Sequence, residues 1–198
     1  MELFNIDLAA LIKAIGYLGL FGIVFAESGL FIGFFLPGDS LLFTAGFLAS
    51  QGYLNIVLLI ILCFAAAVLG DSFGYAFGRR LGPMIFKKEN SLFFRREYIE
   101  QMRVFYEKYG KKTIVLARFM PVIRTLAPIF AGVGKMRYPT FLFYNIAGGF
   151  LWAVGLLILG FTLGNVIPNV DRYIIPLILL IIILSSIPPL WHIYKEWR

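Results

Sequence analysis

Apolar residues gather into five long stretches along this chain, residues 17–50, 53–78, 113–134, 140–164 and 173–192, with polar segments between them. A helix needs about 20 residues to cross the hydrocarbon of a bilayer. The second, fourth and fifth stretches have that length, and each is expected to form one transmembrane helix. The first and third are built differently. Residues 17–50 are too long for one span and are interrupted by Pro37-Gly38-Asp39, where a missing backbone donor and a permissive glycine should break a helix. Residues 113–134 carry Arg118, Pro121, Arg124 and Pro128. Each Arg at the middle of a membrane helix costs about 2.5–3.5 kcal/mol, which disfavours a straight, lipid-facing helix here. Broken backbone at that depth is tolerated where protein buries it or where it lines a wet cavity. Both stretches are therefore expected to be re-entrant helical hairpins.

Two amphipathic segments complete the pattern. Residues 1–16 place Leu8, Leu11, Ile12 and Ile15 on one side and are expected to form an interfacial helix. Residues 93–110 place Phe94, Tyr98, Met102, Phe105 and Tyr109 at helical spacing, with Arg95, Arg96 and Arg103 largely elsewhere. A basic helix with an aromatic face suits the surface of an anionic leaflet. The expected fold class is an all-α membrane protein, one domain over residues 1–198, with three transmembrane helices and two re-entrant hairpins.

Composition strengthens the membrane reading. The chain is 60% hydrophobic and only 15% charged, with a mean hydropathy of +0.85. A soluble domain carries about 25% charged residues. The formal net charge of +7 would also suit a nucleic-acid binder, but the placement of the charges argues for lipid as the partner. Fourteen of the eighteen Lys and Arg residues lie between Arg79 and Lys112, at Lys135 and Arg137, or at Lys195 and Arg198. The positive-inside rule puts all of these in the cytoplasm. The 79–112 loop and the C-terminus are then cytoplasmic, the N-terminus is outside, and the protein sits in the cell membrane. With this topology the third stretch enters and leaves from the cytoplasm while the first opens outside, the pattern of an inverted repeat. Leu42-Phe43-Thr44-Ala45-Gly46 loosely resembles Pro128-Ile129-Phe130-Ala131-Gly132, as such a repeat would require. Cys63 is expected to be core packing and His192 an interfacial residue beside Trp191. No metal site is expected.

Five ionisable residues lie within or beside the apolar stretches: Glu27, Asp39, Asp71, Arg118 and Arg124. Charges at such depth are functional candidates by default. If the hairpins meet at the midplane, Glu27 and Asp39 from one face Arg118 and Arg124 from the other. Guanidinium forks match phosphate oxygens, so the group can bind an anionic head group. Carboxylates that compete for the same guanidinium open a route to proton coupling. Asp71 is expected as a support of the site or as a helix anchor, and Pro37, Gly38, Pro121 and Asn145 as supports. Gly70, Gly74, Gly78 and Gly82 recur every four residues, which suits close helix packing better than a phosphate loop, since no Gly-Lys-Ser or Gly-Lys-Thr follows.

Taken in order, Glu27 with Phe31 and Phe35-Leu36-Pro37-Gly38-Asp39, then Gly70-Asp71-x-x-Gly74-Tyr75-x-x-Gly78-Arg79, resemble the DedA family of VTT membrane proteins. So do Arg118-Phe119-x-Pro121-x-x-Arg124-Thr125-x-x-Pro128-x-x-Ala131-Gly132 and Tyr144-Asn145-x-x-Gly148. The resemblance covers residues 16–164. It implies movement of a lipid phosphate between leaflets, with undecaprenyl phosphate or a phospholipid as substrate and a proton gradient as its drive. It also implies that an acidic pair and an arginine pair are needed, and these fall on Glu27, Asp39, Arg118 and Arg124. A flippase or scramblase without enzymatic activity or a cofactor is the expectation. A membrane lipid phosphatase is the first rival, although Pro37-Gly38-Asp39-Ser40 continues into Leu41-Leu42 and lacks the second Ser and the Arg of a Pro-Gly-x-Ser-Arg-Ser motif. A proton-coupled exporter of small cations is the second, although the two Arg residues would repel a cationic cargo.

Overall fold

A computed structural model describes residues 8–30, 36–85, 106 and 109–166, and the described residues are helical with short turns. In chain order the helices are α1 (Leu8–Gly29), α2 (Gly38–Ser50), α3 (Ile56–Ile85), α4 (Thr113–Ala117), α5 (Pro121–Val133), α6 (Tyr138–Gly149) and α7 (Gly155–Val166). A single 3₁₀ turn, Gly110–Lys112, leads into α4, and a π-helical turn, Phe150–Val154, joins α6 to α7 without a break. The fifth apolar stretch, 173–192, lies outside the described residues, as does the 93–110 segment apart from Tyr106, Tyr109 and Gly110.

Among the described residues two helices are long and apolar enough to cross a membrane, Ile56–Arg80 and Tyr138–Val166. The first starts later than the hydropathy suggests. The side chain of Asn55 accepts from the N–H groups of Val57 at 2.9 Å and Leu58 at 3.1 Å, an N-cap that sets the first turn. Their outward surfaces are apolar: Val57, Leu58, Ile61, Leu69, Phe73 and Phe77 are exposed on α3, and Phe143, Ile146, Phe150, Leu151, Ile158 and Leu159 on the other. A soluble helix turns its polar side outward. Here the buried side carries the polar groups, which suits hydrocarbon as the surrounding solvent.

The two interrupted stretches fold as helix–break–helix. In the second, the N–H of Met120 bonds the carbonyl of Ala117 at 2.9 Å, closing α4 with a tight turn. Met120 itself is extended (φ −122°, ψ 108°), as a residue before proline prefers, and Pro121 then opens α5. The far end of α5 closes with Lys135 at φ 53° and bonds from Met136 to Ala131 and from Lys135 to Gly132, both at 3.0 Å. That is a Schellman cap with lysine in the position glycine usually fills. In the first stretch, α1 stops at Gly29 and α2 starts after Pro37.

Of the expected N-terminal interfacial segment, residues 1–7 lie outside the described residues. Residues from Leu8 onward belong to α1, bent at Gly16 (φ 58°, ψ −158°), and Ile12 is fully buried in the same apolar cluster as Leu20 and Val24.

Packing crosses between the halves of the chain. Helix α2 lies on α7, and α5 lies on α3. In each pair two glycines interlock. A methyl on Gly46 would strike the Leu157 carbonyl, and one on Gly160 the Phe43 carbonyl. Likewise a methyl on Gly132 would strike the Tyr75 carbonyl, and one on Gly78 the Ile129 carbonyl. Each glycine sits three residues after the residue its partner touches, in both interfaces. Small residues at such spacing let backbones touch, and van der Waals contact drives helix association in lipid. The loose sequence match between residues 42–46 and 128–132 thus has a counterpart in equivalent packing.

Candidate functional site

The breaks in both interrupted stretches point polar groups at the same region of the bundle. Helix α1 delivers Glu27 near its end, and α2 delivers Asp39 in its first turn. The turn after α4 holds Arg118, and the first turn of α5 holds Arg124. From the two long helices come Asp71 on α3, Asn145 on α6 and Trp152 in the π-helical turn.

These groups sort into two clusters. In the first, Arg124 spans both carboxylates of the first interrupted stretch. Its Nη1 donates to Asp39 Oδ1 at 2.8 Å, and its Nη2 donates to Glu27 Oε1. Glu27 is wholly buried, and its Oε1 also accepts from the Gly38 N–H at 3.2 Å. The carboxylate therefore sits on the N-terminus of α2, where free N–H groups and the helix dipole favour an anion. Gly38 leaves the space for it, since a methyl there would overlap the Glu27 carboxyl group. Asp39 is the open edge of the cluster, its side chain 24% exposed against 10% for Arg124 and 0% for Glu27.

In the second cluster Arg118, its side chain 4% exposed, donates through Nη2 to Asp71 Oδ2 at 2.5 Å, to Asn145 Oδ1 at 2.6 Å and to the Ala67 carbonyl at 3.3 Å. Asn145 returns two bonds to α3, from Nδ2 to the Val68 carbonyl at 3.0 Å and to Ser72 Oγ at 3.5 Å. Gly148 makes the room, since a methyl on it would lie 3.0 Å from Arg118 Cδ. Tyr106 reaches α5 beside this cluster, donating to the Ala127 carbonyl at 2.9 Å.

The expected arrangement is thus corrected in one respect. Glu27 and Asp39 do not share the two arginines; Arg124 takes both, and Arg118 turns to Asp71 and Asn145. A buried charge left without its partner is strongly destabilising, so each cluster closes on its own nearest anion. Pro37 precedes α2 and Pro121 opens α5, so both prolines set where an ionic residue enters the bundle.

Trp152 is the site residue that hydropathy alone underrates. Its indole Nε1 donates to Asp39 Oδ1 at 2.7 Å, and its ring lies 5.8 Å from the Arg118 guanidinium carbon and 5.4 Å from that of Arg124. The available signal was a tryptophan mid-way along an apolar helix. With no water at that depth its N–H must find an acceptor. Among the described residues, the buried atoms Glu27 Oε2, Arg118 Nε and Arg124 Nε lack a hydrogen-bond partner.

The VTT domain family model matches residues 36–162. The chain is 43% identical over 199 residues to Protein DedA of Escherichia coli strain K12, covering 98% of this chain and 90% of that one. It is 47% identical over 177 residues to an uncharacterized membrane protein of Mycobacterium leprae, covering 88% and 79%. The inner membrane protein YghB of Escherichia coli is 34% identical over 171 residues, covering 84% of this chain and 78% of its own length. No solved structure matches.

Proposed function

This chain belongs to the DedA family of VTT-domain membrane proteins, and on that basis we infer that it moves a lipid phosphate between leaflets. The carrier lipid undecaprenyl phosphate is the leading substrate and a phospholipid the second. The observation that carries this reading is Arg124, whose two terminal nitrogens hold Asp39 and Glu27 inside an apolar bundle and whose outer partner, Asp39, is partly open. A guanidinium fork binds a phosphate in the geometry with which it binds carboxylates. An arriving head group therefore competes with Asp39 for Arg124. Protonating a carboxylate of the pair weakens that competition, which couples substrate entry to a proton without any further cofactor.

In this reading α1–α2 and α4–α5 are re-entrant hairpins that open to opposite faces, with the arginine clusters between them near the midplane. The equivalent glycine interlocks of α2 on α7 and α5 on α3 support two such halves. The polar head group passes along the cluster while the acyl chains stay in lipid beside the apolar outer faces. The lipid leaves chemically unchanged.

The test is reconstitution into liposomes carrying a labelled polyprenyl phosphate in one vesicle set and labelled phosphatidylethanolamine in another, with and without a pH gradient. Wild-type protein should move the polyprenyl phosphate faster than empty vesicles, and Arg124→Ala should not. Equal rates in wild type and Arg124→Ala would remove the proposed role of that side chain. Release of inorganic phosphate from a polyprenyl pyrophosphate would point to the phosphatase reading instead.

A further inference from the structure

Trp152 lies beside both ionic clusters. Among the described residues no hydrogen bond joins the Arg124 cluster to the Arg118 cluster, yet both guanidiniums lie within cation–π range of the same indole. The ring is almost fully buried, and its N–H shares Asp39 Oδ1 with Arg124 Nη1. The backbone that carries it is a π-helical turn between two α-helical segments, and such turns recur at functional sites. Asp39, Arg118 and Arg124 lie against the indole, and Glu27 and Asp71 complete the two clusters as partners of these arginines. Of the five, only Asp39 is more than a tenth exposed. A group approaching from outside the bundle meets Asp39 first, and Asp39 is held by two donors rather than one.

We propose that Trp152 is a positioning residue that latches Asp39 onto Arg124, so that an anionic head group reaches Arg124 only by breaking the indole–carboxylate bond as well as the ion pair. The ring has a second duty. Its electron-rich face keeps the two guanidiniums close when a carboxylate leaves, which an aliphatic side chain cannot do. Trp152→Phe separates the two duties, because it removes the N–H and keeps the aromatic face. Trp152→Leu removes both. The proposal rests on the lipid-phosphate reading for the identity of the ligand, and not for the latch itself.

Two measurements on the full chain decide it. The first is binding of farnesyl monophosphate to protein in nanodiscs. Trp152→Phe should bind about tenfold more tightly than wild type, because a hydrogen bond to a charged acceptor no longer has to be broken. Trp152→Leu should bind more weakly than Trp152→Phe. With Trp191 and Trp197 replaced by Phe, the ultraviolet resonance Raman band that tracks indole N–H bonding reports Trp152 alone. It should move toward the unbonded position in Asp39→Ala, and in the same direction when the ligand is added. A purely structural tryptophan predicts no tighter binding in Trp152→Phe and no movement of the band on adding ligand, and either result overturns the latch.

The second measurement needs no ligand. A double-mutant cycle on reversible unfolding, with Asp39→Ala and Trp152→Phe, should show coupling of about tenfold in the unfolding equilibrium. Additive effects overturn the latch. If wild type does not bind farnesyl monophosphate, the lipid-phosphate reading falls, and the cycle alone decides whether the latch stands.

Discussion

Gly38 gives its backbone N–H to the carboxylate of Glu27 at 3.2 Å and has no side chain to stand between them. The glycine that breaks the first apolar stretch is thereby also the one that admits a buried anion to the start of α2. Gly38→Ala should cost about 1–3 kcal/mol, as forced overpacking of a tight site does. Thermal unfolding in detergent checks this. A melting point equal to wild type would show that the Glu27 carboxylate can sit elsewhere at no cost.

Arg124→Lys tests whether the fork or only the charge matters. A guanidinium presents separate nitrogens to Asp39 and Glu27, whereas an ammonium is a single point charge. Transport of the labelled polyprenyl phosphate should fall at least about tenfold in Arg124→Lys, the equivalent of one charge-assisted hydrogen bond. Retention of the wild-type rate would assign Arg124 an electrostatic role without geometry.

Removing one member of the Arg118–Asp71 pair should damage stability more than removing both. Breaking a buried pair costs about 3–5 kcal/mol because the remaining charge is left unpaired. Asp71→Leu is therefore expected to be much less stable than Asp71→Leu combined with Arg118→Met. Unfolding of the three proteins in the same detergent measures it. If the double variant is no better than Asp71→Leu alone, Asn145 and the Ala67 carbonyl suffice to hold Arg118.

The interlocked glycines give a prediction far from any charge. Gly160→Leu on α7 would drive a side chain into the Phe43 carbonyl of α2, and Gly78→Leu on α3 would do the same at Ile129 of α5. Both should lower the melting temperature, one by prying α2 off α7 and the other by prying α5 off α3. As a control, a methyl on Gly22 meets no atom within 4 Å, so Gly22→Ala should leave stability near wild type.

Much of this was legible in the chain itself, for reasons that are local. Apolar run length marks α3 and the α6–α7 segment as spans, and Pro37 and Pro121 mark where the other two stretches must break. The transfer cost of Glu27, Asp39, Asp71, Arg118 and Arg124 singles them out without any coordinates, since that cost attaches to each residue by itself. The pairing was not legible. Arg124 lies 97 residues from Glu27, Arg118 lies 47 from Asp71, and Trp152 lies 113 from Asp39.

Nothing in spacing says which carboxylate meets which guanidinium across such distances. The outcome depends on which helices touch, and that depends on where glycines let two backbones approach. The order of amino acids determined that this protein lives in lipid, where its helices break and which polar groups it must shelter. The packing of α2 on α7 and α5 on α3 decided that Arg124 holds two carboxylates, that Arg118 turns to Asp71 and Asn145, and that one indole lies beside both arginines. Hydropathy and backbone stereochemistry act on neighbours in the chain, whereas burial and ion pairing act on neighbours in space.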